Sequence, residues 1–136
     1  MRNLRPVLAL FVVTLLLTQF LGCGKDSTEP TKPTPPKISV ASMNVVCGDN
    51  QDCIEFYARP DKDVIFVKVV ITNPTGSQVT YNLQSSTVVA EENIALQDDG
   101  FAYFRISGEW KFVFTGNLAT GDKSSFEVTV IVNVSA

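Results

Sequence analysis

The sequence predicts an all-β fold for most of its length, an antiparallel sandwich of about seven strands, and three observations carry that prediction. From Ile38 onward apolar residues recur at every second position, the period of a strand with one buried face. Clusters of Gly, Pro, Asn and Asp interrupt the alternation at short intervals, as turns do. No segment of that region holds a 3.6-residue period, so no amphipathic helix competes. Short strands with one apolar face each pack as two antiparallel sheets, and an immunoglobulin-like sandwich is the expected arrangement.

The chain starts differently. Arg2 and Arg5 precede an apolar run from Val7 to Leu21, followed by Gly22, Cys23 and Gly24. The run falls short of the roughly 20 apolar residues of a membrane span and fits the apolar region of an export signal. Its end, Phe20-Leu21-Gly22-Cys23, resembles a lipobox, in which small or aliphatic residues precede a cysteine that is acylated before cleavage. Gly22 and Cys23 match that pattern, and Phe20 stands where leucine is more usual. Residues 1–22 are therefore expected to be a lipoprotein signal peptide, with Cys23 the lipidated, palmitate-bearing first residue of the mature protein. Each buried methylene of such chains contributes about 0.8 kcal/mol, so several acyl chains hold a protein on a membrane without a helix. Gly24 stands where an aspartate marks inner-membrane retention in some bacteria, which favours the outer membrane. Lys25-Asp26 and Glu29 loosely resemble a surface-export tag, so a periplasmic and a cell-surface location both stay open.

Residues 23–37 form the next unit. Pro30, Pro33, Pro35 and Pro36 stand there among threonines, lysines and acids, with nothing apolar to pack, so a solvated, extended tether is expected. At ~3.1 Å per residue it would hold the following domain roughly 40 Å from the bilayer.

The β domain is expected over 38–136. Ile54 and Phe56 alternate with Glu55 and Tyr57, and Ile65, Val67, Val69 and Ile71 are read as one face against Lys68 and Thr72. Val79, Tyr81 and Leu83 alternate with Thr80, Asn82 and Gln84; Ala102, Phe104 and Ile106 with Tyr103 and Arg105; Trp110, Phe112 and Phe114 with Glu109, Lys111 and Thr115. The cleanest run is Phe126, Val128, Val130, Val132 and Val134 against Glu127, Thr129 and Asn133. Turns are read at Arg59-Pro60-Asp61, Asn73-Pro74-Thr75-Gly76, Asp98-Asp99-Gly100, Ser107-Gly108 and Thr120-Gly121-Asp122. Each inward side chain, fully buried, contributes roughly 1.5–3 kcal/mol before chain entropy is set against it.

Three cysteines are an odd number for an exported chain. With Cys23 used by lipid, Cys47 and Cys53 remain as a pair for a disulfide around the turn-forming Gly48-Asp49-Asn50-Gln51-Asp52, as an oxidising compartment permits. That spacing staples a local hairpin or loop; it does not bridge two sheets.

Composition narrows the chemistry. The chain has no histidine, which removes Ser-His-Asp and Cys-His nucleophiles and the commonest metal ligand, so neither zinc nor any other cofactor is expected. All fourteen acids lie beyond the export signal and two of the eleven bases lie within it, leaving nine bases against fourteen acids afterwards. Such a net negative domain lacks the Lys and Arg contacts that a phosphate backbone demands, so nucleic acid is not an expected partner.

Few side chains stand out as a site. Asp49, Asn50, Asp52 and Glu55 carry oxygen ligands of the kind calcium takes, without the spacing or glycine of an EF-hand loop, and read first as a solvated turn. Asp98 and Asp99 before Gly100 read first as a turn. Trp110 shares the inward face of Phe112 and Phe114 and reads as core. Fourteen acids offer many carboxylate pairs, but no motif singles one out for glycosidic chemistry, so no catalytic residue is assigned and no enzyme is expected.

One family resemblance runs from Ile65 to Val130. Val70-Ile71-Thr72-Asn73-Pro74-Thr75, then Val79-Thr80 and Leu83, is similar to the strand-turn-strand opening of the BsuPI-type proteinase inhibitor domain. Asp99-Gly100, Phe104-Arg105-Ile106-Ser107, Leu118-Ala119-Thr120-Gly121-Asp122 and Phe126-Glu127-Val128 fall where that family's later blocks would fall. The stretch from Ser85 to Glu92 departs from the family pattern, and the Leu-x-x-Gly turn lacks its proline. The resemblance implies an immunoglobulin-like sandwich, in agreement with the period-two pattern, and a proteinase-inhibitor-like role without assigning an inhibitory residue. The expected function is thus a non-enzymatic, membrane-anchored lipoprotein whose sandwich binds a protein partner in the cell envelope. A structural or accessory subunit of an envelope complex is the alternative, and a calcium-dependent surface adhesin a further one.

Overall fold

The computed structural model describes residues 32–83 and 86–136. The expected signal peptide, Cys23 and most of the tether lie outside the described residues, as does Gln84. The domain is all-β, with two antiparallel sheets. The first holds β1 (Ile38–Val46), β2 (Asp52–Pro60), β6 (Ile94–Ala95) and β7 (Tyr103–Phe104), in the order β1-β2-β6 with β7 also on β2. The second holds β3 (Val64–Thr72), β4 (Gln78–Asn82), β5 (Thr87–Val88), β8 (Gly108–Leu118) and β9 (Ser125–Val134), in the order β4-β3-β8-β9 with β5 also on β3.

Nine strands are described where about seven were expected. The excess is local, because β5, β6 and β7 have two residues each. A β1-β2 hairpin in one sheet and a β3-β8-β9 group in the other give the neighbour relations of an immunoglobulin-like sandwich. Among the described residues no helix is long and apolar enough to cross a membrane.

Alternation places the core. Ile54, Phe56 and Ala58 of β2 face Trp110, Phe112 and Phe114 of β8, and all six are buried. Phe56 packs on Phe112 and Trp110 at ring distances of 4.8 and 4.9 Å, and Phe66 on Phe114 at 5.5 Å. Aromatic pairs at such separations add about 0.5–1.5 kcal/mol beyond the area they bury. Gly116 continues the face of Phe114 because the space for a side chain is taken: a Cβ there would lie 2.5 Å from the Ile65 carbonyl oxygen and 2.8 Å from the Phe126 ring.

Two expected faces are corrected. In β3 the register on β8 shifts between Phe66 and Lys68, a bulge that reverses the alternation. Val64 and Phe66 are therefore inward before it and Val69 and Ile71 after it, while Val67 is 48 % exposed. Near β7 the inward residue is Tyr103, in ring contact with Phe56 and Trp110, and Phe104 is 67 % exposed.

The β1-β2 hairpin ends in a single turn over Gly48–Asn50. Asp49 and Asn50 adopt φ of 61° and 55°, a left-handed conformation that short polar side chains tolerate. Cys47 and Cys53 form the expected disulfide, with their Cα atoms 5.8 Å apart.

Candidate functional site

The gap between β4 and the broken third strand of the first sheet is the most distinctive surface of the domain. That third position beside β2 is filled by one chain segment in two pieces. Ile94 and Ala95 pair with Ala58 and Tyr57, and Leu96 N donates to Phe56 O at 2.9 Å. The backbone then departs, and the buried Gln97 side chain takes over: its Oε1 accepts from Phe56 N at 3.0 Å. A buried backbone N–H left without a partner would cost about 1–3 kcal/mol, so a carboxamide at this position permits the departure.

Asp98 to Ala102 form an outward excursion. It is closed by Phe101 N donating to Asp98 O at 2.9 Å, with Gly100 at φ 83°. The chain rejoins β2 where Tyr103 and Phe104 pair with Ile54 and Cys53, and Arg105 N donates to Asp52 O at 3.0 Å. The Tyr103 hydroxyl ties the two ends of the excursion together, donating to Leu96 O at 2.6 Å. Burial, with help from the neighbouring Tyr81 and Asp98, pushes the Tyr103 phenol up to about 12. Tyr81 of β4 is also raised, first by burial and then by its hydrogen bond to Asp98. Tyr81 and Asp98 thus face each other across the gap from β4 to the excursion.

A cavity lies on either side of this tyrosine pair. One, of about 250 Å³, is walled by Ile71, Val79, Ala102, Tyr103, Ile106 and Trp110. The other, of about 280 Å³, is walled by Phe66, Tyr81, Leu83, Val88, Ile94 and Asp98. Val79 sits on the inward face of β4, yet it is 50 % exposed because the sheet opposite offers an excursion in place of a continuous strand. Phe101 and Phe104, at 73 and 67 %, add exposed aromatic surface on that side.

The domain as a whole is net acidic. From Ile38 to Ala136 six Lys and Arg stand against twelve Asp and Glu. Arg59 pairs with Glu91 at 2.7 Å, Lys62 donates to Thr34 O, and the Arg105 guanidinium donates to Ser135 O at 2.8 Å. No Lys or Arg lines either cavity.

The residues singled out in the sequence distribute as follows. Trp110 is buried core, as expected, and it also walls the first cavity, with its Nε1 donating to Ile106 O at 2.9 Å. Asp98 and Asp99 begin the excursion, and Asp98 reaches the second cavity. Asp49, Asn50 and Asp52 are exposed at the hairpin end, and the Glu55 carboxylate accepts from the Tyr57 hydroxyl at 2.6 Å, which raises that phenol's pKa. Among the described residues no three acidic or cysteine side chains converge as metal ligands. What sequence reading missed is the excursion itself: two phenylalanines, Phe101 and Phe104, in a stretch otherwise read as turn and strand were the available signal.

Compared with models of protein families, with curated proteins and with solved structures, the chain matches none.

Proposed function

We propose that this chain is a non-enzymatic lipoprotein of the cell envelope, held on a membrane by acyl chains at Cys23 and carrying an immunoglobulin-like module that binds a protein partner. Support for the anchor is the basic start, the apolar run and the Gly22-Cys23 boundary. The observation that carries the binding role is the β4 flank, where an inward-facing valine, two exposed phenylalanines and two cavities lie side by side. A solvated domain gains nothing from leaving such surface uncovered, and apolar surface with a polar rim is how interaction sites are built.

A sharper form of this reading is a proteinase-inhibitor-like module. The favouring observation is that the segments resembling the BsuPI-type family bound the same flank: Ile71, Asn73 and Val79 on one wall, Phe104 and Ile106 on the other.

Two experiments test the proposal. Metabolic labelling with a fatty-acid analogue is expected to mark the wild-type protein in the membrane fraction and to miss Cys23→Ser; an unlabelled, soluble wild type would overturn the anchor. Crosslinking in intact cells, with an affinity tag after Ala136, is expected to recover one stoichiometric envelope protein. Equimolar loss of activity of some protease would establish the sharper form. A flat titration across serine, cysteine and metalloproteases would set it aside.

A further inference from the structure

We infer that the β4 flank receives an extended, cationic segment of another protein, which adds as a strand along β4 and seats one apolar side chain in the cavity beside Val79 and Trp110. The inference rests on the interaction-module reading and names the kind of occupant its site takes.

Three observations select that occupant. The first is the backbone. Among the described residues β4 is the last strand of its sheet, paired to β3 on one side only. Its outer row of N–H and C=O groups is a template for another extended chain, and Gln78–Asn82 contains neither the lysine nor the proline that blunts such edges. The two long edge strands, β1 and β9, meet on the other flank and line neither cavity.

The second is the cavity. At about 250 Å³ it is smaller than the roughly 300–1,000 Å³ of pockets that enclose small-molecule ligands. Its apolar walls of Ile71, Val79, Ile106 and Trp110 match one large side chain. Val79 lines the cavity and belongs to the exposed edge, so a strand on β4 runs past the cavity mouth.

The third is charge. Asp98 lines the neighbouring cavity, Asp98 and Asp99 both act on Tyr81 of β4, and no Lys or Arg lines either cavity. A second copy of this chain would bring twelve acids and six bases of its own over Ile38 to Ala136. Like charge on both sides disfavours self-association, and a basic segment is the complementary partner.

Trp110 is the sole tryptophan of the chain and walls the cavity, so its fluorescence reports occupancy directly. The test is a titration of the full-length protein, purified from membranes in neutral detergent, with the capped peptide Lys-Val-Lys-Phe-Lys-Val-Lys. A saturable change in Trp110 emission is expected, with affinity falling as salt rises. Val79→Glu, at a half-exposed position, with its fold checked by an unchanged urea midpoint, is expected to weaken binding about tenfold or more, as loss of a central anchor contact does. Asp99→Asn should weaken it by a smaller factor and flatten the salt dependence, while Val89→Glu, on an exposed site away from the cavity, should leave it unchanged. The same peptide with Asp for every Lys should not bind. No emission change, equal affinity for Val79→Glu and Val89→Glu, or equal binding of the acidic peptide would overturn the inference. The cell crosslinking separates this failure from that of the broader reading. A partner recovered undiminished by Val79→Glu breaks the flank assignment and leaves the module standing. Recovery of no partner by the wild type breaks the module reading, and the peptide titration still judges the flank.

Discussion

The two flanks of this sandwich are built from strands of very different length, and their surfaces differ accordingly. On one flank β1 and β9, nine and ten residues long, lie against each other. The inward valines of β9, Val128, Val130 and Val132, are packed against the core there. On the other flank a five-residue β4 faces two-residue strands separated by the Asp98–Ala102 excursion. Both described cavities open on that side. The first flank closes at the Ile38–Val40 end of β1, whose Ser42 and Asn44 share the inward face of Phe56 and Ile54 but are exposed, whereas the broken strand on the other flank leaves an inward residue such as Val79 without a cover.

On this contrast, substitutions in the closed region act on stability and those on the open flank act on binding. The largest expected effect is at the centre of the closed region. Phe112→Ala removes a fully buried ring in contact with Phe56 and Phe114 and is expected to cost about 3–5 kcal/mol in urea unfolding. Removing the disulfide by Cys47→Ser with Cys53→Ala opens a loop of sequence separation 6 and should lower stability by about 2–2.5 kcal/mol. Gly116→Ala pushes a methyl group against the Ile65 carbonyl and the Phe126 ring, for an expected loss of about 1–3 kcal/mol.

Tyr103 lies on the boundary between the two regions. Its folded pKa of about 12 lies above the ordinary phenol value of 10.0, so the unfolded chain releases that proton first as pH rises. Its contribution is fully present below pH 10 and is lost between pH 10 and about 12. Tyr103→Phe is expected to cost about 1 kcal/mol at neutral pH, through the lost bond to Leu96 O, and to make the alkaline decline shallower. A melting series from pH 8 to 12 checks both. Smallest of all, Val79→Ala on the open flank should change stability by no more than about 0.5 kcal/mol. A loss comparable to that of Gly116→Ala would mean that the flank is closed and the contrast mistaken.

The closed region was legible in the sequence because alternation in β2, β8 and β9 runs unbroken: Ile54 and Phe56, Trp110 to Phe114, and Phe126 to Val134 face inward as their period requires. Legibility fails where the period breaks. The bulge after Phe66 turns Val67 outward, and the return from the excursion brings Tyr103 inward in place of Phe104. Neither event has a local signature, since both depend on what the neighbouring strand offers. Gln97 was invisible for the same reason: a buried carboxamide looks like a surface residue until the Phe56 N–H it satisfies is known. The disulfide, by contrast, was legible, because removing Cys23 from the count left Cys47 and Cys53 alone as a pair on a short turn.

The most direct test of the open flank is site-specific photocrosslinking in intact cells, with the photoreactive residue placed at Val79 in one strain and at Ile131 in another. Both positions are about equally exposed, at 50 and 52 %, but Ile131 lies on β9, away from the cavities. A discrete crosslinked protein from position 79 and none from position 131 is the predicted result. Equal capture from both positions, or capture from position 131 alone, would contradict the assignment of the binding surface to β4.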